Sequence, residues 1–208
     1  MAPPFEDSWS RAWRGLQGRD DGAGVRKALL SRYAEPHRRY HTLQHLGECL
    51  TQFETLRGAP DRPAEVEMAL WFHDAIYDLG ATDNERRSAD WAREALAAAG
   101  VATKAVARVE ALVMATRHAA PPRTRDEKVL IDIDLAILGA EAERFAEYER
   151  QIRAEYAHVP AVLYAPRRRA LLQGFLDRPA IYHLPAMHRQ LEARARANLS
   201  DSIAALAA

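Results

Sequence analysis

Ala64-Glu65-Val66-Glu67-Met68-Ala69-Leu70-Trp71-Phe72-His73-Asp74-Ala75-Ile76 is the stretch on which the fold turns. Read at helical spacing it is apolar on almost every side, which marks a helix surrounded by other helices at the centre of an all-α core. Its far end carries an adjacent imidazole and carboxylate, His73-Asp74, among Leu70, Trp71, Phe72, Ala75, Ile76 and Tyr77. An ionised carboxylate withdrawn from water costs several kcal/mol unless a cation or good hydrogen bonds compensate it. A bound metal ion is the first expectation this doublet raises.

Helical spacing continues on both sides, and strand-like alternation is nearly absent. Upstream, Trp9, Trp13 and Leu16 share a face of an opening helix that stops in the Gly- and Asp-rich residues 15–24, and a second helix covers 25–33. Residues 43–56 place Leu43, Leu46, Leu50 and Phe53 on one face before the breaker Gly58-Ala59-Pro60-Asp61-Arg62-Pro63. Downstream, a helix over 84–99 starts at a capping residue, Asn84, and stops at Gly100. Residues 101–116, 125–138, 141–157, 167–176 and 185–206 complete about nine helices. No repeat, low-complexity tract or linker interrupts them, so the expectation is one all-α domain over residues 1–208, its helices packed pairwise around 64–76.

Val129-Leu130-Ile131-Asp132-Ile133-Asp134-Leu135 alternates with period two, but a lone strand would have no partner, and helix is preferred. As a helix it gives Asp134 the neighbours Leu130, Ile131, Ile137 and Leu138, and gives Asp132 the neighbours Lys128, Val129, Leu135 and Ala136. Asp134 is therefore the acid on the apolar face and the better candidate for a metal-bound carboxylate. His41 and His45 are four residues apart, so on a helix they project from one face, with Glu48 three further along. Two imidazoles on one face suit a divalent transition metal. His73 and Asp74 point about 100° apart on an ideal helix, so one ion takes both only where their helix meets others. His118 is a further ligand-type side chain.

This ordered set resembles the HD superfamily of metal-dependent phosphohydrolases, and more closely a small bacterial branch of predicted HD phosphohydrolases. The likeness rests on Tyr40-His41-Thr42-Leu43-Gln44-His45-Leu46, Trp71-Phe72-His73-Asp74-Ala75-Ile76-Tyr77-Asp78, Asp83-Asn84-Glu85 with Ser88-Ala89, Thr116-Arg117-His118, Asp132 to Gly139, and Ile152-Arg153-Ala154-Glu155-Tyr156. It implies a single-domain HD-type helical bundle, with a metal-site core at about 37–140 and C-terminal helices 141–208 packing on it. It further implies that His45, His73, Asp74 and Asp134 hold a divalent ion (manganese, iron, zinc, nickel, cobalt or magnesium). The activity implied is hydrolysis of a phosphate ester of a small molecule, a nucleotide by preference, through water activated as hydroxide by the ion.

Tyr40-His41-x-x-x-His45 is also similar to a segment of cyclic-nucleotide phosphodiesterases in which the first His donates a proton and the second binds metal. That division gives His41 the general-acid role and His45 the ligand role; the reverse assignment stays open. Glu85 would position or deprotonate the water, unless it is simply a first-turn acid complementing its helix dipole. His118 would bind a second metal or the phosphate. Arg153, Tyr156 and one of Arg167, Arg168 and Arg169, with Arg168 the choice, would grip the phosphate, since Arg presents a planar fork of donors. A solvated helix face is the competing reading of that arginine run. Two other functions stay open: a cyclic- or oligonucleotide phosphodiesterase, and a non-catalytic module that binds metal or nucleotide.

Composition bounds these readings. A chain of 208 residues is long enough to bury roughly 70% of its unfolded surface around one core. With 29 basic and 29 acidic residues it has no overall field to gather long nucleic acid, so the expected partner is a small phosphorylated substrate. A homo-oligomer is compatible with this. The one cysteine, Cys49, excludes an internal disulfide, fits a reducing compartment and is expected to be a small buried apolar residue. No basic leader, apolar leader or run of about 18 apolar residues occurs, so no membrane association and a cytoplasmic location are expected.

Overall fold

In the computed structural model, which describes residues 5–206, the apolar stretch forms α4 (Pro63–Phe72), and every residue from Glu65 to Phe72 is buried. Among the described residues there are ten α-helices, one 3-10 helix and no strand. The described chain divides into two compact units, one through Asp134 and one from Leu135 onward.

The first unit holds α1 (Phe5–Gly15), α2 (Ala23–Tyr33), α3 (Leu43–Leu56), α4, α5 (Asn84–Ala98), α6 (Thr103–Ala115) and α7 (Arg125–Asp134). Helices α1, α3, α5, α6 and α7 all pack on α4, as the all-round apolar pattern requires. Trp9 stacks on Trp13 at 5.0 Å and meets Trp71 edge-on at 5.1 Å, and the buried Trp71 indole N–H donates to Ser8 Oγ at 3.0 Å. The two acids inside α4 are buried and compensated. Arg108 reaches Glu65 through two hydrogen bonds of 2.7 and 2.6 Å, and Arg11 grips both oxygens of Glu67.

Helix α4 is shorter than its apolar pattern. It ends at Phe72 with His73 as its C-cap, and the Ala75 N–H closes a turn onto the Phe72 carbonyl at 3.0 Å, so Asp74 lies beyond the helix end. Residues 129–134, where strand and helix competed, are helical. Asp132 is fully buried, more so than Asp134, because α7 packs on α3, α4 and α6 and so has little solvent face. Helix α7 gives way to a 3-10 helix at Leu135–Gly139 instead of running on to Leu138.

That 3-10 helix opens the second unit, with α8 (Ala142–Glu155), α9 (Ala161–Leu176) and α10 (Pro185–Ala205). Helix α9 begins six residues earlier than the sequence suggests and carries Pro166 inside it, where the sequence reading started the helix after the proline. Helix α10 packs on the 3-10 helix and on α9. Asn198 donates to the Leu138 and Ala140 carbonyls at 2.9 and 3.0 Å, and Tyr182 donates to the Leu135 carbonyl at 2.9 Å. Gly139 allows this approach: a Cβ there would sit 2.7 Å from Leu191 Cβ. Glu192 accepts the Ile181 and Tyr182 N–H groups at 3.1 Å, and Arg196 holds its other side. No described helix is long and apolar enough to cross a membrane.

Candidate metal centre

Four elements of the first unit deliver the central side chains. Thr42 caps α3 by accepting the Gln44 N–H at 3.2 Å, and His45 follows in the first turn, buried. His73 and Asp74 come from the turn after α4, His118 from the segment after α6, and Asp134 from the last position of α7. The His73 Nδ1–H donates to the Leu70 carbonyl at 2.7 Å, which fixes the tautomer and turns the Nε2 lone pair inward. His73 Nε2 lies 3.0 Å from His45 Nε2, 3.1 Å from Asp74 Oδ2 and 3.6 Å from Asp134 Oδ1. His45 Nε2 lies 3.4 Å from Asp74 Oδ2 and 3.5 Å from Asp134 Oδ1.

Those spacings suit a common cation. Bonds of about 2.0–2.2 Å to imidazole nitrogen and carboxylate oxygen put neighbouring ligand atoms about 3.0–3.5 Å apart in octahedral or tetrahedral geometry. His45, Cys49, His73 and Asp134 form a group whose donor atoms all lie within 4.8 Å of one another, and such a group could hold a metal ion. Cys49 Sγ is equidistant, at 3.8 Å, from both ring nitrogens of His45. A ligand sharing an ion with Nε2 would lie nearer to Nε2 than to Nδ1, so the sulfur flanks the ring while Asp74 Oδ2 faces the lone pair. The expectation that Cys49 is a buried apolar side chain misses this neighbourhood, and only its i+4 spacing from His45 signals it.

The electrostatics follow from the same contacts. Burial alone would depress the His73 imidazole, but the Asp74 carboxylate beside it outweighs burial and lifts it to about 9. His45 is likewise depressed by burial and raised further by Cys49, Tyr40, Asp134 and Asp74. Burial pushes the Asp74 carboxyl up, yet the His73 charge holds it well below the carboxylate range. Asp134 is driven up by burial and brought below that range by the hydrogen bond from His118. The cluster thus favours imidazolium against carboxylate, and a divalent cation competes with those protons.

His118 Nε2 donates to Asp134 Oδ2 at 3.1 Å, orienting the oxygen that faces away from His45 and His73. His118 adopts a left-handed backbone, φ 53°, a conformation that costs about 1–2 kcal/mol for a residue with a side chain. His41 is not on α3: it precedes the Thr42 cap, so the one-face argument for His41 and His45 fails. Its ring stacks on Tyr77 at 4.0 Å and lies 5.9 Å from the His45 ring.

Glu85 is half-buried in the first turn of α5. That turn is tied to the segment after His73-Asp74. Asp78 N–H donates to Asn84 Oδ1 at 3.0 Å, Asn84 Nδ2 returns a bond to the Asp78 carbonyl at 2.9 Å, and Ile76 N–H donates to Ser88 Oγ at 2.9 Å. Asn84 thus clasps a neighbouring loop and does not cap its own helix.

Arg153, Tyr156 and Arg168 lie in the second unit. Arg153 donates to the Tyr156 and Val159 carbonyls at 2.6 and 3.2 Å and packs over the Tyr164 ring. Arg168 is buried, with its guanidinium on the Tyr148 hydroxyl at 2.8 Å and on Glu149. Sequence reasoning missed Arg38, whose buried guanidinium reaches the His41, Asp74 and Ala75 carbonyls. Its one signal is its place just upstream of Tyr40-His41, since arginine ordinarily reads as surface. No family model, curated protein or solved structure matches the chain.

Proposed function

We propose that this chain is a metal-dependent phosphohydrolase of the HD type, cleaving a phosphate ester of a small molecule, a nucleotide being the favoured class. The observation that carries the reading is the pair of Nε2 atoms of His45 and His73, 3.0 Å apart, each 3.1–3.6 Å from one carboxylate oxygen of Asp74 and one of Asp134. A divalent ion held there would polarise a phosphoryl oxygen and bring bound water toward a pKa of about 7.

The residues around it divide the remaining work. His41, its ring braced on Tyr77, passes a proton to the leaving oxygen. Glu85 orients the attacking water, supported by the tie between the first turn of α5 and the segment after Asp74. His118 keeps Asp134 turned so that its other oxygen faces the imidazoles. His41, Glu85 and His118 all belong to the first unit.

The test is metal analysis of protein purified without chelator, followed by a screen of the loaded protein against phosphate monoesters and diesters. One divalent ion per chain with monoester turnover is the expected result, and Asp74→Ala should remove both. Exclusive diester turnover would make the chain a phosphodiesterase. Metal without any turnover would make it a binding module, and the absence of bound metal under any loading condition would end the proposal.

A further inference from the structure

We propose that Arg38 is the positioning residue of the cation site, a role that rests on the metal-binding reading above and adds to it the group that holds Asp74 in place. Its side chain is fully buried. One Nη1 donates to the Asp74 carbonyl at 2.6 Å and to the His41 carbonyl at 3.2 Å, while Nη2 donates to the Ala75 carbonyl at 3.1 Å. Glu35 accepts from Nε at 3.2 Å. The guanidinium packs 5.3 Å from the centre of the Tyr33 ring and 5.6 Å from that of Tyr77, the ring on which His41 stacks.

The carbonyls just past a helix end lack intrahelical partners and need another donor. Here that donor is a cation from the segment between α2 and α3, which also suits the negative end of the α4 dipole. Asp74 is held from its other side as well: its N–H donates to the Tyr33 hydroxyl at 3.3 Å, and that hydroxyl donates to the Trp71 carbonyl at 3.3 Å. With both adjoining peptides fixed, the Asp74 backbone cannot swing, and its carboxylate stays opposite the His45 and His73 nitrogens. The same guanidinium fixes the His41 backbone, so one group ties the ligand Asp74 to the proposed proton donor. Lysine keeps the charge but lacks the fork that spans three carbonyls.

The experiment titrates full-length wild type, Arg38→Lys and Arg38→Gln with cobalt(II). It reads the dissociation constant against a competing chelator, the visible spectrum per bound ion, and helicity and melting temperature. Both variants should stay helical, lose roughly 10- to 100-fold in cobalt affinity, as losing a group that orients a ligand does, and change the visible spectrum as Asp74 leaves its place. A purely structural role would lower the melting temperature and leave the spectrum per bound ion as in wild type. Wild-type affinity and spectrum in Arg38→Lys would overturn the inference, as would unfolding of both variants, which would assign Arg38 to folding alone. Failure of wild type itself to bind cobalt would overturn the cation site, and with it this role.

Discussion

Cation affinity at the centre should depend steeply on pH, because the ion and the His73 proton compete for one nitrogen. With His73 raised to about 9, mainly by Asp74 working against burial, binding at pH 7 must first displace a proton held two pH units below its midpoint. Each unit is a factor of ten in affinity, so the penalty at pH 7 is about 3 kcal/mol, or roughly a hundredfold. Affinity should therefore climb at least tenfold per unit from pH 7 toward 9, since the His73 proton, and with it any proton on the likewise raised His45, is released as the ion binds. In the metal-free protein the sign is opposite. The raised imidazole contributes stability that is fully present below its unfolded value of about 6.5 and is lost as pH rises through 9. Calorimetric titration with zinc or manganese in two buffers of different ionisation enthalpy measures both the affinity and the proton count. Asp74→Asn removes the main cause of the shift and should flatten the slope as well as weaken binding. An affinity that stays level from pH 7 to 9 in wild type, with no proton released, would refute the arrangement of His73 against Asp74.

Three further outcomes concern the scaffold. Arg11→Met strands the buried Glu67 carboxylate, whose pKa burial already raises. Urea denaturation at pH 7 should show a loss of about 1–3 kcal/mol that narrows at lower pH as the carboxyl takes up its proton. Gly139→Ala drives a Cβ to 2.7 Å from Leu191 Cβ and 2.9 Å from the Tyr182 hydroxyl, so the variant should lose about 1–3 kcal/mol by overpacking, read as a lowered melting temperature. Glu192 is pushed up by burial but held below the usual range by the Tyr182 and Ile181 N–H groups and Arg196, so its stability is present above the unfolded carboxyl value and lost as pH falls through the folded one. Glu192→Gln should reduce the acid-side loss of stability in melts from pH 6 to 3, and an unchanged acid limb would remove Glu192 from that role.

The helical class was legible because α4 is apolar all round and its neighbours repeat at helical spacing, signals that depend only on local order. The ligand-type residues could likewise be picked out from embedding: a His-Asp doublet amid Trp71 and Phe72, and an acid flanked by Leu130 and Ile131. What sequence could not supply was the backbone between them. The end of α4 at Phe72 follows from tertiary partners, the Arg38 guanidinium and the Tyr33 hydroxyl, which no window around His73 contains. His41 was misplaced for a one-residue reason, since Thr42 is the cap and the histidine lies outside the helix that carries His45. Burial of Asp132 escaped because helical spacing ranks faces by residue type, whereas α7 is enclosed by three other helices.

Asp134 is both the last residue of α7 and the last of the first unit, with a 3-10 helix beginning at the very next position. An ion gripping that carboxylate would pin the last turn of α7 to the helices that carry His45 and His73. By mass action, a hundredfold excess of ion over its dissociation constant adds about 2.7 kcal/mol against any fraying that releases the carboxylate. Resistance of the α7 end to protease would then serve as a gauge of ion occupancy, legible on a gel without any substrate in hand.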